Sequence, residues 1–198
     1  MKTLLFGLSL LISTTICAQR KPPEVSVVFG LNQPLVLHGF NIEGNLWMKK
    51  FVIDYSHGFG LKFRDNLVNT EARGQHLAFN VTHTLGVGFG YRFTEGFNLR
   101  VEPKMHIWEM YYDDDLDTKI TTYTTYTLGL GAYYRWIPVG GLTIVPSVRW
   151  WPNVGSTLKG DEFTYSNVRT GRTETHRANN IGVSNTPWFV NVSVGWTF

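Results

Sequence analysis

The chain has 198 residues, which is enough for one domain of ordinary size. Its formal net charge is +3, and the 18 Lys and Arg residues are scattered along the chain, so nucleic-acid binding is not indicated. Aromatic residues reach 15%, charged residues only 17%, and there are 20 glycines, a composition that suits a chain whose outer surface meets lipid and whose strands pass close together.

The N-terminus has the pattern of a secretory signal peptide. Lys2 precedes a mostly apolar run over residues 4–17, and Ala18 is the small residue expected before a cleavage site. The run of about 14 residues is shorter than the roughly 20 that a membrane-spanning helix needs. We therefore predict a signal peptide over residues 1–18 and a single mature domain over residues 19–198. Lipidation of the only cysteine is disfavoured because no small residue precedes it, and the mature domain then has no disulfide.

Eight segments alternate apolar and polar side chains, as half-buried β-strands do. They are residues 24–31, 41–48, 51–61, 77–93, 97–112, 119–137, 142–153 and 186–198. Every second connection between them is a tight turn, and the others are longer. Transmembrane barrels have short periplasmic turns and longer external loops. We therefore predict an all-β fold, an eight-stranded antiparallel transmembrane β-barrel in the bacterial outer membrane, with both termini in the periplasm.

The alternation also divides each strand into an outward and an inward face. On the fourth segment the outward residues are Phe79, Val81, Leu85, Val87, Phe89, Tyr91 and Phe93. The inward residues are Thr82, Thr84, Gly86, Gly88, Gly90 and Arg92. The inward glycines are interpreted as space for side chains from opposite strands.

Aromatic residues near both strand ends are candidates for the girdles that mark a membrane interface. Those beside the short turns are Tyr91, Phe93, Phe97 and Trp136. Those at the other end are Trp108, Tyr111, Tyr112, Tyr123, Trp150, Trp151 and Trp188. Pro103 and Pro146 fall within predicted strands, where a closed ladder needs every N–H, and so imply bulges or misplaced strand boundaries.

The last strand has one apolar face, which includes Val194, Trp196 and Phe198. A final strand that ends on an aromatic residue resembles the C-terminal assembly signal of outer-membrane β-barrel proteins, which implies the barrel-assembly machinery as a partner. With its signal peptide and eight alternating segments, the chain resembles the small eight-stranded outer-membrane barrels of the OmpA and OmpX type. This resemblance implies an interior filled by side chains. It leaves the function open, because such barrels include anchors, adhesion or resistance factors and lipid-modifying enzymes.

Nine titratable residues are predicted to face the barrel interior. They are Glu43, Asp54, Arg92, Arg100, Glu102, Lys104, His106, Arg135 and Arg149. Ionisable groups inside a membrane protein are costly unless they pair or serve transport. A mutually satisfied ion-pair network is the favoured interpretation, and a proton or ion path is the alternative.

Residues 54–58 are the most enzyme-like stretch. Residues 55–61 are similar to a strand motif of outer-membrane lipid A deacylases, which has His, one residue, then Ser. Asp54 stands where that motif has its His. His57 is adjacent to Ser56 in a strand and so points to the opposite face, away from the hydroxyl. His83 on the next strand is also predicted to face lipid. Ser56, His57 and His83 are therefore weak catalytic candidates.

Two external connections carry the remaining polar motifs. Residues 113–118 are rich in Asp but lack the Gly and Glu of an EF-hand, so they predict a solvated turn, with a loose divalent site bridging to lipopolysaccharide phosphates as the alternative. Residues 154–185 are polar and unpatterned, which predicts a mobile hairpin above the membrane. Recognition residues concentrate on such loops.

The sequence thus predicts a non-enzymatic outer-membrane protein that acts at the surface through its loops or as a membrane anchor. A lipid A deacylase-like enzyme and a narrow channel are the alternatives. Expected partners are outer-membrane lipid including lipopolysaccharide, the barrel-assembly machinery and an unknown extracellular ligand; no cofactor or metal is expected. A soluble lipocalin-like barrel is disfavoured, because the broad band of outward aromatic residues would then have no place.

Overall fold

The computed structural model describes residues 23–198, so the predicted signal peptide lies outside the described residues. The strands are β1 Glu24–Gly30, β2 Phe40–Trp47, β3 Phe51–Phe63, β4 Leu77–Arg92, β5 Phe97–Tyr112, β6 Asp115–Tyr134, β7 Leu142–Trp150, β8 Asn153–Ser156, β9 Glu162–Asn167, β10 Arg172–Arg177 and β11 Trp188–Thr197. Short helical turns lie at Asn32–Leu35, Asp65–Leu67, Thr70–Gly74, Lys159–Asp161 and Val183–Asn185. Within the described residues, no helix combines the length and hydrophobicity needed to cross a membrane.

Eight of these strands form a closed antiparallel barrel. Strands β1 to β7 pair in chain order, and β11 pairs with β7 on one side and with β1 on the other. Closure leaves the barrel without a free edge, so the backbone groups of neighbouring strands satisfy one another. The predicted fold class is confirmed, and the resemblance to small eight-stranded outer-membrane barrels is confirmed at the level of the fold.

The connections lie at two ends of the barrel. The end with residues 48–50, 93–96 and 135–141 is called the short-turn end, and the opposite end, with residues 31–39, 64–76 and 151–187, the loop end. The β5–β6 connection at the loop end is a two-residue turn at Asp113 and Asp114. Asp115 Oδ1 accepts hydrogen bonds from the N–H groups of Asp117 and Thr118, so the acidic stretch begins β6 and the loop predicted over residues 113–118 is wrong.

The inward and outward faces of β3 and β4 exchange partway along the strands. Gly60 has a φ of +67°, and the β4–β5 register shifts between Val81 and His83. A bulge adds one residue and so reverses the side-chain alternation beyond it. On the loop-end side of this point Leu61, Phe79 and Val81 are buried, so the prediction that Phe79 and Val81 face outward is wrong.

The two strand prolines do not form bulges, which is one of the two interpretations that the sequence offers for them. Pro103 lies in register with Leu128, and Pro146 lies in register with Val192. Both prolines are exposed on the outer face. The only register shift within the β4–β5 pairing is the one at Val81, on the loop-end side of Pro103.

An apolar core fills the loop-end half of the barrel. It includes Leu37, Leu61, Phe63, Phe79, Val81, Trp108, Met110, Tyr123, Trp151 and Phe189. The aromatic girdle predicted at this end is therefore only partly correct. Trp108, Tyr111, Tyr112, Tyr123 and Trp151 are buried, and Trp150 and Trp188 are exposed.

An apolar belt covers the outside of the barrel. Phe89 and Leu130 are each 56% exposed and Val190 is 61% exposed, although each lies within a strand of the barrel. The aromatic residues beside the short turns are also exposed, as the sequence predicts; they are Tyr91, Phe93, Phe97 and Trp136. Monomeric soluble proteins rarely expose a continuous apolar surface of this kind.

The long final connection is folded and packed onto the barrel. Strand β8 pairs with β6, and β9 pairs with β10 in a hairpin. His176 of β10 stacks on Phe79 with ring centroids 4.9 Å apart, and Tyr165 of β9 is buried in the apolar core. The hairpin predicted for residues 154–185 is present as β9 and β10. It is patterned and packed on the apolar core instead of standing free above the barrel, so that part of the prediction is wrong.

Candidate functional site

The centre of the barrel interior is organised around Arg100. Arg100 Nη1 donates hydrogen bonds to Glu43 Oε1 and Asp54 Oδ2, both at 3.0 Å, and to Asn45 Oδ1 at 2.7 Å. Its Nε donates to Asn98 Oδ1 at 2.8 Å. These residues come from three strands, β2, β3 and β5, whose inward positions meet at one level. Charge-assisted hydrogen bonds of this kind are the strong ones in proteins.

A second carboxylate, Glu102, is held beside this group. Tyr133 Oη donates to Glu102 Oε2 at 2.6 Å, and Trp151 Nε1 donates to the same oxygen at 3.2 Å. Lys104 Nζ lies 3.4 Å from Glu102 Oε1. Arg149 Nη2 donates across the interior to Glu43 Oε2 at 3.5 Å, which links the two parts of the cluster.

We call these six charged residues and Tyr133 the polar layer. Its three carboxylates, Glu43, Asp54 and Glu102, match its three cations, Arg100, Lys104 and Arg149, so its formal charge is zero. The charged side chains are at most 4% exposed. The guanidinium carbons of Arg100 and Arg149 lie 4.0 Å and 4.7 Å from the centre of the Tyr133 ring. The layer is thus a buried, neutral and hydrogen-bonded plug.

Three of the nine predicted lumen residues lie outside the ion pairs of the polar layer. Arg135 Nη1 pairs with Glu24 Oε2 at 2.7 Å near the short-turn end. Arg92 donates there to the carbonyl oxygens of Met48 and Glu95. His106 lies between two threonine hydroxyls, at 2.7 Å and 3.1 Å. The single predicted group of nine is therefore divided into separate clusters.

The inward glycines of β4 make room for the polar layer. A Cβ at Gly88 would lie 2.0 Å from Asp54 Oδ2, and one at Gly86 would lie 2.4 Å from Lys104 Cγ. On β6, a Cβ at Gly129 would lie 1.6 Å from Trp151 Cδ1. A side chain at these positions would displace the layer or the Trp151 indole beside it, which explains why glycine occupies strand positions where it costs stability.

The three catalytic candidates are not brought together. Ser56 is buried inside the barrel, where its Oγ accepts a hydrogen bond from Lys104 Nζ at 2.7 Å. His57 and His83 lie on the outer face, with His57 Nε2 3.3 Å from His83 Nδ1. The barrel wall separates the hydroxyl from both imidazoles. The Ser and His side chains therefore lack the contact that general-base activation of a nucleophile requires.

A small cavity separates the polar layer from the apolar core. Its lining includes Gln33, Ser56, Lys104, His106 and Trp151, and its volume is about 20 Å³. That is room for about one water molecule. Across the described residues 23–198, no group of three or more His, Cys, Asp or Glu side chains is placed to hold a metal ion.

The loop end carries a polar platform, formed by the β9–β10 hairpin and residues 64–76. Tyr165 Oη donates to Gln75 Oε1 at 3.2 Å, and Asn167 Nδ2 donates to the Gln75 carbonyl at 2.9 Å. His176 Nε2 is 3.2 Å from the hydroxyl of Tyr123, and burial lowers the pKa of His176 to about 4. The sequence contains a signal for this hairpin, the turn glycine Gly171 with a φ of +69°.

The final strand places its predicted signal residues on the outside. Trp196 is 48% exposed and Phe198 is 77% exposed, and Val194 lies on the same face. The Phe198 N–H donates to the Val25 carbonyl at 2.8 Å, so the end of the chain is paired with β1.

Together these features define a class of protein: a closed eight-stranded β-barrel with an apolar outer belt and a lumen filled by a neutral charge cluster. No family model and no curated protein matches the chain. Among solved structures, it is similar to Ail, the attachment invasion locus protein of Yersinia pestis, solved with the heparin analogue sucrose octasulfate. The identity is 12% and the TM-score 0.44, over 89% of this chain and 99% of Ail.

A major outer membrane protein from Thermus thermophilus is similar to the same extent. The identity is 11% and the TM-score 0.45, over 89% of this chain and 98% of that protein. At such low identities and TM-scores, neither likeness adds to what the strand topology itself establishes, and we draw no function from them.

Proposed function

We propose that the protein is an integral protein of the bacterial outer membrane, in which a sealed barrel anchors a folded interaction platform at the cell surface. The observation that carries this proposal is the apolar belt around a barrel whose interior is polar and charged. A soluble barrel has the opposite arrangement, with a polar outer surface. An apolar outer surface is expected for a barrel surrounded by lipid. The platform side is the loop end, and both termini are periplasmic.

A surface or envelope role is favoured over catalysis by the position of the candidate residues. An outer-leaflet lipid could reach His57 and His83 but not Ser56, which is buried and bonded to Lys104. A lipid A deacylase mechanism would need a hydroxyl and an imidazole within hydrogen-bond reach of each other. A channel is disfavoured because the polar layer and the apolar core together occupy the lumen.

The platform is the part of the molecule suited to recognition. Its polar side chains are fixed by hydrogen bonds to one another and by the packing of β9 and β10 on the apolar core, so they present a preorganised surface. Preorganisation lowers the entropic cost of binding a partner. Insertion into the membrane is assigned to the barrel-assembly machinery, which would read the outward residues Val194, Trp196 and Phe198.

The first test is membrane fractionation combined with heat-modifiability. The full chain is produced in a Gram-negative host, and the outer-membrane fraction is run on a detergent gel with and without boiling. We expect a faster band in the unboiled sample, since a closed barrel resists the detergent. Protease added to intact cells should cut within the platform and leave the barrel strands protected. A soluble protein with no mobility shift would refute the proposal.

A further inference from the structure

A cleft of about 350 Å³ lies at the loop end beside β3. It is lined by His38, Lys62, Arg64, Asp65, Asn66 and Leu67. The cleft is built by β3 continuing past Gly60, where the Lys62 N–H donates to the Leu37 carbonyl at 2.7 Å. This hydrogen bond brings residues 31–39 against β3. We call this feature the cationic cleft.

The basic side chains of the cationic cleft are not paired with carboxylates of the described residues. Elsewhere at the loop end, basic side chains pair with carboxylates, as Arg169 does with Asp114. None of the ion pairs among residues 23–198 involves His38, Lys62 or Arg64.

Two neighbouring groups complete the charge balance of the cleft. Asp65 contributes one negative charge, and Arg73 Nη1 reaches the cleft wall through a 3.3 Å hydrogen bond to Asn66 Oδ1. With Lys62 and Arg64 the fixed charge of the cleft is therefore net positive.

The half-buried Arg64 side chain has a guanidinium nitrogen without a hydrogen-bond partner in the part of the chain that the structure describes. Its Nε is buried and has no hydrogen-bond partner among the described residues. A buried donor without an acceptor is costly, so native structures supply one from protein, water or a ligand. A guanidinium offers a planar set of donors that matches the oxygens of a phosphate, and a neighbouring lysine adds a second cation.

The cleft lies at the height where lipid headgroups would begin. Phe59 is 45% exposed and is the last residue of the apolar belt on β3, and the exposed Lys62 follows it on the loop-end side, paired with Asn80. Basic residues at this height are attracted to an anionic membrane surface. A ligand held here would be in contact with the membrane.

We propose that the cationic cleft binds a phosphate group on the headgroup of an outer-leaflet glycolipid. This inference rests on the proposed outer-membrane location and names a lipid partner within it. Lys62 and Arg64 hold the phosphate oxygens, and the acyl chains lie along the apolar belt below Phe59.

The experiment compares two lipid A preparations that have the same acyl chains, one bisphosphorylated and one enzymatically dephosphorylated. Each is titrated onto the full-length folded barrel in a neutral detergent, and bound lipid is counted by native mass spectrometry. Lys62→Gln with Arg64→Gln is the test variant. Lys159→Gln with Arg172→Gln is the matched control, because it removes two exposed positive charges from another part of the loop end.

We expect the wild type and the control to prefer the bisphosphorylated lipid, and the test variant to bind it about 25-fold more weakly, at about fivefold for each basic residue. Equal binding of the two lipids by the wild type, or an unchanged affinity in the test variant, would overturn the inference. Displacement of lipid A by millimolar inorganic phosphate, with no lipid preference, would assign the cleft to free phosphate and also overturn it.

Heat-modifiability of each variant separates the two proposals. Lys62 is exposed, so the single Lys62→Gln variant replaces the double variant if the latter fails to fold, with an expected loss of about fivefold. A barrel that inserts normally but binds the bisphosphorylated and dephosphorylated lipids equally overturns the lipid-binding inference and leaves the proposed function intact. A chain that never reaches the membrane fraction refutes the proposed function instead.

Discussion

Replacing Arg100 by methionine tests whether the polar layer stabilises the barrel. Methionine keeps most of the aliphatic volume but removes the cation that contacts Glu43, Asp54 and Asn45. Glu43 keeps its contact with Arg149, whereas Asp54 loses its ion pair and stays buried. Breaking a buried pair by removing one partner costs about 3–5 kcal/mol, so we expect a loss of about 4 kcal/mol in the free energy of unfolding.

The assay is equilibrium unfolding in urea of the barrel folded into phosphatidylcholine vesicles, followed by tryptophan fluorescence. Adding Asp54→Asn to Arg100→Met returns the polar layer to two carboxylates and two cations. We expect this second change to recover about 1–2 kcal/mol, a coupling typical of residues in contact. Arg172→Met, on the exposed hairpin, is the control and should change stability by no more than about 0.5 kcal/mol. An Arg100→Met barrel as stable as the wild type, or a double variant weaker than the single one, would refute the network.

Two further predictions concern packing and pH. Gly129→Ala should lower the free energy of unfolding by about 1–3 kcal/mol in the same assay, because the new methyl group would overlap the indole of Trp151. Gly44→Ala is the control and should cost far less, because its methyl group would meet open space. Equal losses in the two variants would contradict the packing argument. The pKa of His176 is about 4 in the folded platform and about 6.5 when the side chain is exposed. Between these pH values a hairpin detached from the barrel binds more protons than the packed hairpin. Packing of the hairpin on the barrel is therefore weakened as pH falls from 6.5 to 4, by about 3 kcal/mol at the acid limit. After correction for the pH dependence of intrinsic amide exchange, the protection factors of the hairpin should fall as pH is lowered over that range in the wild type and stay constant in His176→Phe, which keeps the stacking on Phe79. Identical pH profiles of the protection factors would contradict the assignment.

The barrel can be predicted because its strands and turns are set by residues that are close in sequence. Alternation with a period of two sets the strands, and turn lengths set their order, so the segments 77–93 and 97–112 match β4 and β5 closely. The same alternation predicts which charged side chains face inward. It does not predict how they pair, because the distance between Glu43 and Arg100 depends on the tilt and stagger of the strands around the closed barrel.

The errors have a common physical origin in long-range packing. The bulge beside Val81 reverses the alternation, and nothing in its own residues distinguishes it from a regular strand, whereas the prolines that suggested bulges lie in register at outward positions. The packing of the β9–β10 hairpin onto the barrel escapes sequence reasoning for a similar reason. Its apolar positions are few, and their burial depends on the apolar core that β3, β4 and β6 build beneath it.

The exchange of inward and outward faces at Gly60 also determines whether ions can cross the lumen of the barrel. Because of this exchange, apolar side chains point inward on the loop-end side of the polar layer, and the apolar core closes the lumen at the loop end. An ion that reached the polar layer from the opposite end would have to enter this apolar core without solvent or counter-charge, at a cost on the order of tens of kcal/mol. We therefore expect the lumen to be closed to ions along its length.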